Sequence, residues 1–190
     1  MSDGGTPFDE QTEGLWINSD PRDDGSYTVT VSLQGDRTWA FTPFKLRRYA
    51  AGALRVVAEA EYEQAVINQL RAGGVDLMAA LETVAALRHH RPANDAARDC
   101  PLHFEPGVNP QGKAFIKIMV GDEQVGQLDP PALRGHAMHA YEAEPVADLD
   151  AAYRKVLTQV IGLSDDMALS AVSELGDHRE PEDGSKLGDD

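Results

Sequence analysis

The sequence predicts an α+β fold built as two tandem copies of a three-stranded antiparallel meander followed by two helices, packed as a pseudo-twofold pair. Three observations predict it. A strand-like run meets a proline-started helix at Phe41-Thr42-Pro43-Phe44-Lys45-Leu46 and does so again at Leu128-Asp129-Pro130-Pro131-Ala132-Leu133. Residues then match at a constant spacing of 87, among them Leu15/Leu102, Gly25/Gly112, Pro43/Pro130, Leu46/Leu133, Arg47/Arg134 and Ala50/Ala137, with apolar pairs such as Val29/Ile116 and Phe41/Leu128 between them. At both junctions the hydrophobic period changes from two to that of a helix.

Leu15-Trp16-Ile17 opens the first copy as a short strand, and Ser19-Asp20-Pro21-Arg22-Asp23-Asp24-Gly25 is a turn. Tyr27 to Leu33 alternates, with Tyr27, Val29, Val31 and Leu33 on one face and Thr28, Thr30 and Ser32 on the other, the pattern of a half-buried strand. Gln34-Gly35-Asp36-Arg37 turns the chain, and Thr38 to Phe41 returns. The second copy repeats this order: Phe104 in its first strand, a loop over 107–112, a strand over 114–120, a turn at Gly121-Asp122 and a return over 124–128.

Thr42 and Asp129 can each cap a helix, and Pro43 and Pro130 occupy the first turn, where a missing amide costs least. In the first copy nothing interrupts the helix from 43 to 72 before Gly73-Gly74. Its predicted apolar stripe is Leu46, Ala50, Ala53, Leu54 and Val57, continued by Tyr62, Ala65, Val66, Gln69 and Leu70. A second helix spans about 76–89 with Leu77, Ala80, Leu81, Val84 and Leu87 inward. In the second copy Pro145 should kink or split the long helix at Glu144, and a last helix follows over about 165–176, capped by Ser164. The predicted organisation is a disordered acidic tail (1–13), unit one (14–89), a linker (90–101), unit two (102–176) and a second acidic tail (177–190). A unit of this size buries too little surface alone, so the copies should pair sheet edges or cover each other's sheets with helices.

The net charge of −15 lies mostly at the ends: residues 1–26 carry seven acids and one base, and residues 177–190 six acids and two bases. The remainder is only mildly acidic, which argues against direct nucleic-acid binding. There is no apolar run of about 18 residues that would make a transmembrane helix. The single cysteine, Cys100, excludes an internal disulfide and suits a cytoplasmic location. Arginine outnumbers lysine 12 to 5 in an Ala-, Gly- and Asp-rich chain, the bias of a high-GC bacterial or phage genome.

Two sets of side chains have metal-ligand chemistry. His136, His139 and Glu142 recur every three residues on one helix face, and His89, His90, Cys100 and His103 flank the linker. The bland alternatives are boundary histidines on a helix and a basic helix end at Arg88-His89-His90-Arg91. The acid-rich segments, Glu59, Glu61 and Glu63 in one copy and Glu142, Glu144, Asp148 and Asp150 in the other, read as solvated faces rather than catalytic pairs. Trp39 stands where the second copy has Gly126, and with Arg47 and Arg134 it is a candidate interaction residue. No phosphate loop, nucleophile elbow or paired CxxC is present. The sequence therefore favours a non-enzymatic interaction or assembly protein with a protein partner, no cofactor and scope for homo-oligomerisation; an acidic inhibitor of a nucleic-acid-binding protein is a sub-case. The alternative is a small-molecule or metal-dependent enzyme with a site between the repeats.

Overall fold

The computed structural model describes residues 14–33, 37–91 and 100–177. The acidic ends at 1–13 and 178–190, the turn at Gln34-Gly35-Asp36 and linker residues 92–99 lie outside the described residues. The fold is mixed α+β, with two three-stranded antiparallel sheets and four helices among the described residues, and strands precede helices in each half. The first half contains β1 (Leu15–Pro21), β2 (Tyr27–Leu33), β3 (Arg37–Phe41), α1 (Pro43–Ala72) and α2 (Leu77–His89). The second contains β4 (Leu102–Val108), β5 (Ala114–Val120), β6 (Glu123–Leu128), α3 (Pro130–Val156) and α4 (Asp165–Asp177). The sheets are separate, ordered β1-β2-β3 and β4-β5-β6. Residues 14–18 and Val29–Glu144 form one compact unit, and Ser19–Thr28 with 145–177 forms another.

The β2–β3 and β5–β6 pairings share a register next to the helix junctions, and beyond Ile118 the β5–β6 pairing shifts by one residue. Val29 faces Phe41 across β2 and β3, and Ile116 faces Leu128 across β5 and β6. Both helix junctions are capped as their residue types require. The Lys45 amide donates to Thr42 Oγ1 at 3.4 Å and the Ala132 amide to Asp129 Oδ1 at 2.7 Å, contacts worth about 1 kcal/mol each.

Four expectations need correcting. β2 is covered on both faces, because Thr28 and Ser32 are buried along with the valines, and Ser32 Oγ meets Thr38 Oγ1 at 3.1 Å. Along α1 the inward stripe runs Leu46, Ala50, Ala53, Val57, Ala60, Glu63 and Ile67, whereas Tyr62, Ala65 and Gln69 are exposed. A steady three-to-four spacing from Leu46 leads to Ala60, Glu63 and Ile67; the apolar Tyr62 and Val66 drew the predicted stripe off that register. Leu87 is exposed at the end of α2. Finally, α3 continues through Pro145. The proline removes one amide donor, but Glu144 just before it and Ala147 just after it are buried, so each side is held by its own packing.

The core of the larger unit is built from Val31 and Leu33 of β2, Leu102 and Phe104 of β4, Ile116 and Ile118 of β5, and the inward stripes of α1 and α3. α1 packs on β4 and β5 of the second sheet. Gln64 ties it there: its Nε2 donates to Gly112 O at 2.9 Å and its Oε1 accepts from the Ala114 amide at 2.7 Å.

Gly112 meets two demands at once. Its φ is +81°, and a Cβ there would lie 2.8 Å from Leu77 Cδ1 and 3.5 Å from Ile67 Cγ2. Gly25 has nearly the same φ, +84°, with nothing within 4 Å. Gly112→Ala should therefore cost about 2–3 kcal/mol and Gly25→Ala about 1 kcal/mol, read as shifts of the urea midpoint. Equal costs would show that the helix does not press on this turn.

In the smaller unit Arg154 is buried on the inner face of α3. Its Nε donates to Asp165 Oδ1 at 3.1 Å, its Nη2 to Asp165 Oδ2, and its Nη1 to Arg22 O at 2.8 Å. The Arg154 hydrogen bond holds the Asp165 carboxyl below its ordinary range. Ser164 caps α4, accepting from the Met167 amide through Oγ at 3.4 Å.

Candidate functional site

The junction between β3 and α1 forms a groove of about 390 Å³. Trp39 and Phe41 come from the strand, and Phe44, Lys45, Arg48 and Tyr49 come from the first two turns of the helix. Cys100 and Pro101 close one side. The local cause is the Thr42-Pro43 junction: the cap turns the chain at once from strand to helix, so side chains two residues either side of it converge. Phe44 is 68% exposed, and Arg48 Cζ lies 5.9 Å from the centre of its ring, within cation–π range. The groove thus combines two aromatic faces with two cationic side chains in a chain of net charge −15.

Beneath the groove lies an aromatic cluster. Tyr49 is buried, with ring centres 5.1 Å from Phe41, 5.7 Å from Phe104 and 5.7 Å edge-on from His136. Its hydroxyl meets His136 Nε2 at 2.7 Å, a bond that either neutral tautomer of the imidazole can make. Burial pushes the Tyr49 phenol well above its ordinary range, with nearby Cys100 adding to the effect. Burial also lowers the His136 imidazole to about 4, helped by the neighbouring His139. The pair is consequently neutral at pH 7. Cys100 is driven the same way: burial raises its thiol pKa, and a backbone hydrogen bond with Leu102 and the charge of Lys45 oppose that rise. A protonated thiol is neither a good nucleophile nor a metal ligand.

The two metal-ligand sets do not converge. Among the described residues no group of three or more His, Cys, Asp or Glu side chains could hold a metal ion. His136 is engaged with Tyr49, while His139 and Glu142 are exposed on α3. His89 and His90 are exposed at the end of α2, Cys100 lines the groove, and His103 Nδ1 lies 3.3 Å from Pro101 O. Trp39 is half-buried in the groove wall. Arg47 and Arg134 act as struts within the chain: Arg47 makes a two-pronged bond to Glu144, and Arg134 Nη2 reaches Glu61 Oε1 at 2.6 Å.

Sequence reasoning passed over Phe44, Lys45, Arg48 and Tyr49 as site residues. The available signal was the contrast between residues 87 apart. At that spacing Trp39, Phe44, Lys45 and Arg48 stand against Gly126, Pro131, Ala132 and Gly135. Glu63 and Glu144 are buried ion-pair partners rather than members of solvated faces.

No protein-family model matches the chain, and neither the curated proteins nor the solved structures compared with it yield a match.

Proposed function

We propose that the chain is a duplicated, non-enzymatic interaction module, with units over 14–89 and 102–176, that holds an acidic, apolar segment of a partner protein in the Trp39–Phe44 groove. Three features support the duplication. Every strand of the second half matches the first at a spacing of 87 to within a residue, α1 and α3 begin 87 residues apart, and α2 and α4 begin at 77 and 165. Gly25 and Gly112 share a positive φ at matching turns. Tyr49 hydrogen-bonds its own counterpart, His136, 87 residues on, as expected of a residue on a twofold axis.

The observation that carries the binding role is the one-sidedness of the groove. The aromatic and cationic side chains that make it, Trp39, Phe44, Lys45 and Arg48, are replaced in the second copy by glycine, proline, alanine and glycine. Phe41 and Tyr49 keep large counterparts in Leu128 and His136, so what the second copy lacks is the aromatic–cationic set itself, and a surface present once suits recognition of one short segment. Aromatic anchors beside cations favour a ligand that pairs an apolar side chain with a carboxylate. The neutral Tyr49–His136 pair below it supplies a rigid floor and no general base.

Display of random peptides on the full chain tests this reading. Enriched peptides should combine acidic and aromatic residues, quench or shift Trp39 fluorescence, and lose at least about tenfold in affinity to Phe44→Ala or Lys45→Glu. Enrichment that is indifferent to both substitutions would remove the groove from consideration.

A further inference from the structure

One stretch outside the described residues has the composition that the Trp39–Phe44 groove favours. Phe8 is the only phenylalanine, tyrosine or tryptophan among residues 1–13, 34–36, 92–99 and 178–190. Asp9 and Glu10 follow it directly, and residues 1–13 carry four acids and no basic side chain. This segment therefore joins one aromatic ring to two adjoining carboxylates. The acids of 178–190 come with Arg179 and Lys186 and no such ring, and 92–99 includes Arg98 and likewise has none.

The segment also reaches the groove. β1 starts at Leu15, in the compact unit that holds Trp39 and Phe44. β1 and β2 are neighbouring antiparallel strands of seven residues each, joined by the short turn at 22–26, so Leu15 lies at the Leu33 end of the sheet. Leu33 faces Arg37 on β3, two residues before Trp39. Two strand spacings across and two residues along put Leu15 about 12 Å from Trp39. The seven residues from Phe8 to Leu15 span up to about 23 Å when extended. A tether of this length holds Phe8 at an effective concentration on the order of millimolar.

We propose that Phe8 seats in the groove against Trp39 and Phe44, with Asp9 and Glu10 beside Lys45 and Arg48, so that the chain's own acidic segment competes with a partner. This rests on the groove reading above and adds its regulation. A groove of about 390 Å³ holds one aromatic side chain and its neighbours, so Phe8 and an incoming segment exclude each other. Ring stacking on Phe44, whose ring already lies 5.9 Å from Arg48 Cζ, supplies the anchor, and opposite charge sets the orientation. One ring and two solvent-facing ion pairs bind weakly by themselves; the tether makes up the difference.

Full chains carrying Trp16→Phe, so that emission reports Trp39 alone, test the proposal. Phe8→Ala should raise the acrylamide quenching constant of Trp39 about two- to threefold and tighten binding of a groove-selected peptide about five- to tenfold. Asp9→Lys with Glu10→Lys should act in the same direction, because it sets cations against Lys45 and Arg48. A synthetic peptide of residues 1–13 should restore protection to the Phe8→Ala chain at millimolar concentration, and adding Lys45→Glu should abolish that rescue. Protection should not vary with protein concentration from about 1 to about 100 µM; a rise with concentration would place the segment in a second copy and overturn the seat within one chain. Equal quenching with and without Phe8 also overturns the proposal. Quenching needs no outside ligand, so the two readings fail separately: equal quenching with peptides still bound removes this proposal alone, and protection by Phe8 with no peptide bound removes the partner reading alone.

Discussion

Glu63→Ala should lower the stability of the larger unit by about 3–5 kcal/mol, while Glu61→Ala, two residues away, should cost no more than about 1 kcal/mol. Glu63 is fully buried on the inner stripe of α1, and Arg88 of α2 grips it through two bonds, Nε–Oε1 at 2.7 Å and Nη2–Oε2 at 2.6 Å. Arg91 Nη1 adds a third cationic contact at 2.9 Å. Removing the carboxylate strands the Arg88 guanidinium and leaves Arg91 only its 3.8 Å contact with Glu59, which costs more than the net value of the ion pair itself. Glu61 pairs with Arg134 at a similar 2.6 Å, but both side chains are about half exposed, so water replaces the lost partner. Urea denaturation of both variants would decide the matter. Glu63→Met with Arg88→Met should recover much of the loss, because that double change removes the bidentate pair together and Arg91 keeps Glu59 at 3.8 Å. A double variant no more stable than Glu63→Ala would show that the acid contributes through shape alone.

Acidification should remove about 3 kcal/mol between pH 6.5 and pH 4 through His136 alone. Its imidazole titrates near 4 in the folded chain, against an ordinary 6.5, because burial penalises the cation and His139 adds a like charge. The unfolded chain therefore binds the proton more readily than the folded one. Stability from this group is complete above pH 6.5, declines as pH falls through that window, and is gone below about 4. Carboxylates titrate at the lower end of the same range, so the comparison to make is with His136→Phe. That variant keeps the ring packed among Tyr49 and Phe104, gives up the 2.7 Å bond with the Tyr49 hydroxyl, and should start about 1 kcal/mol less stable at pH 7. Its stability should nevertheless fall less steeply with acid, so the two proteins converge and cross between pH 6 and pH 4. Parallel curves would mean that His136 is reached by solvent and titrates normally. The same neutral pair explains why His136 does not join a metal set with His139 and Glu142: its Nε2 is already used, and its surroundings disfavour added charge.

Much of the chain was legible before any coordinates. The helix over 43–72, the caps at Thr42, Asp129 and Ser164, and the strand–helix order of both halves all follow from local rules of period, capping and turn chemistry. The candidate site was legible only in part. Trp39 was visible because it stands 87 residues from Gly126, the spacing at which other residues of the two halves match. Phe44, Lys45 and Arg48 were read as the first turns of a helix, and nothing in their local pattern marks which way that turn faces. Glu63 was grouped with its acidic neighbours because charge is normally solvated; only its place three residues after Ala60 and four before Ile67 marked it as inward.

The sequence by itself determined element order, the helix caps and the spacing of 87 at which residues match, since each depends on residues within a few positions of one another or on self-similarity along the chain. The tertiary structure decided which faces are buried, that α1 lies on the second sheet, and that Tyr49 meets His136. The physical reason is that these outcomes depend on partners far apart in the chain, 25 residues for Glu63 and Arg88, 87 for Tyr49 and His136, and 97 for Arg47 and Glu144. A buried charge is tolerated only where such a partner arrives to meet it, and no local periodicity records that arrival.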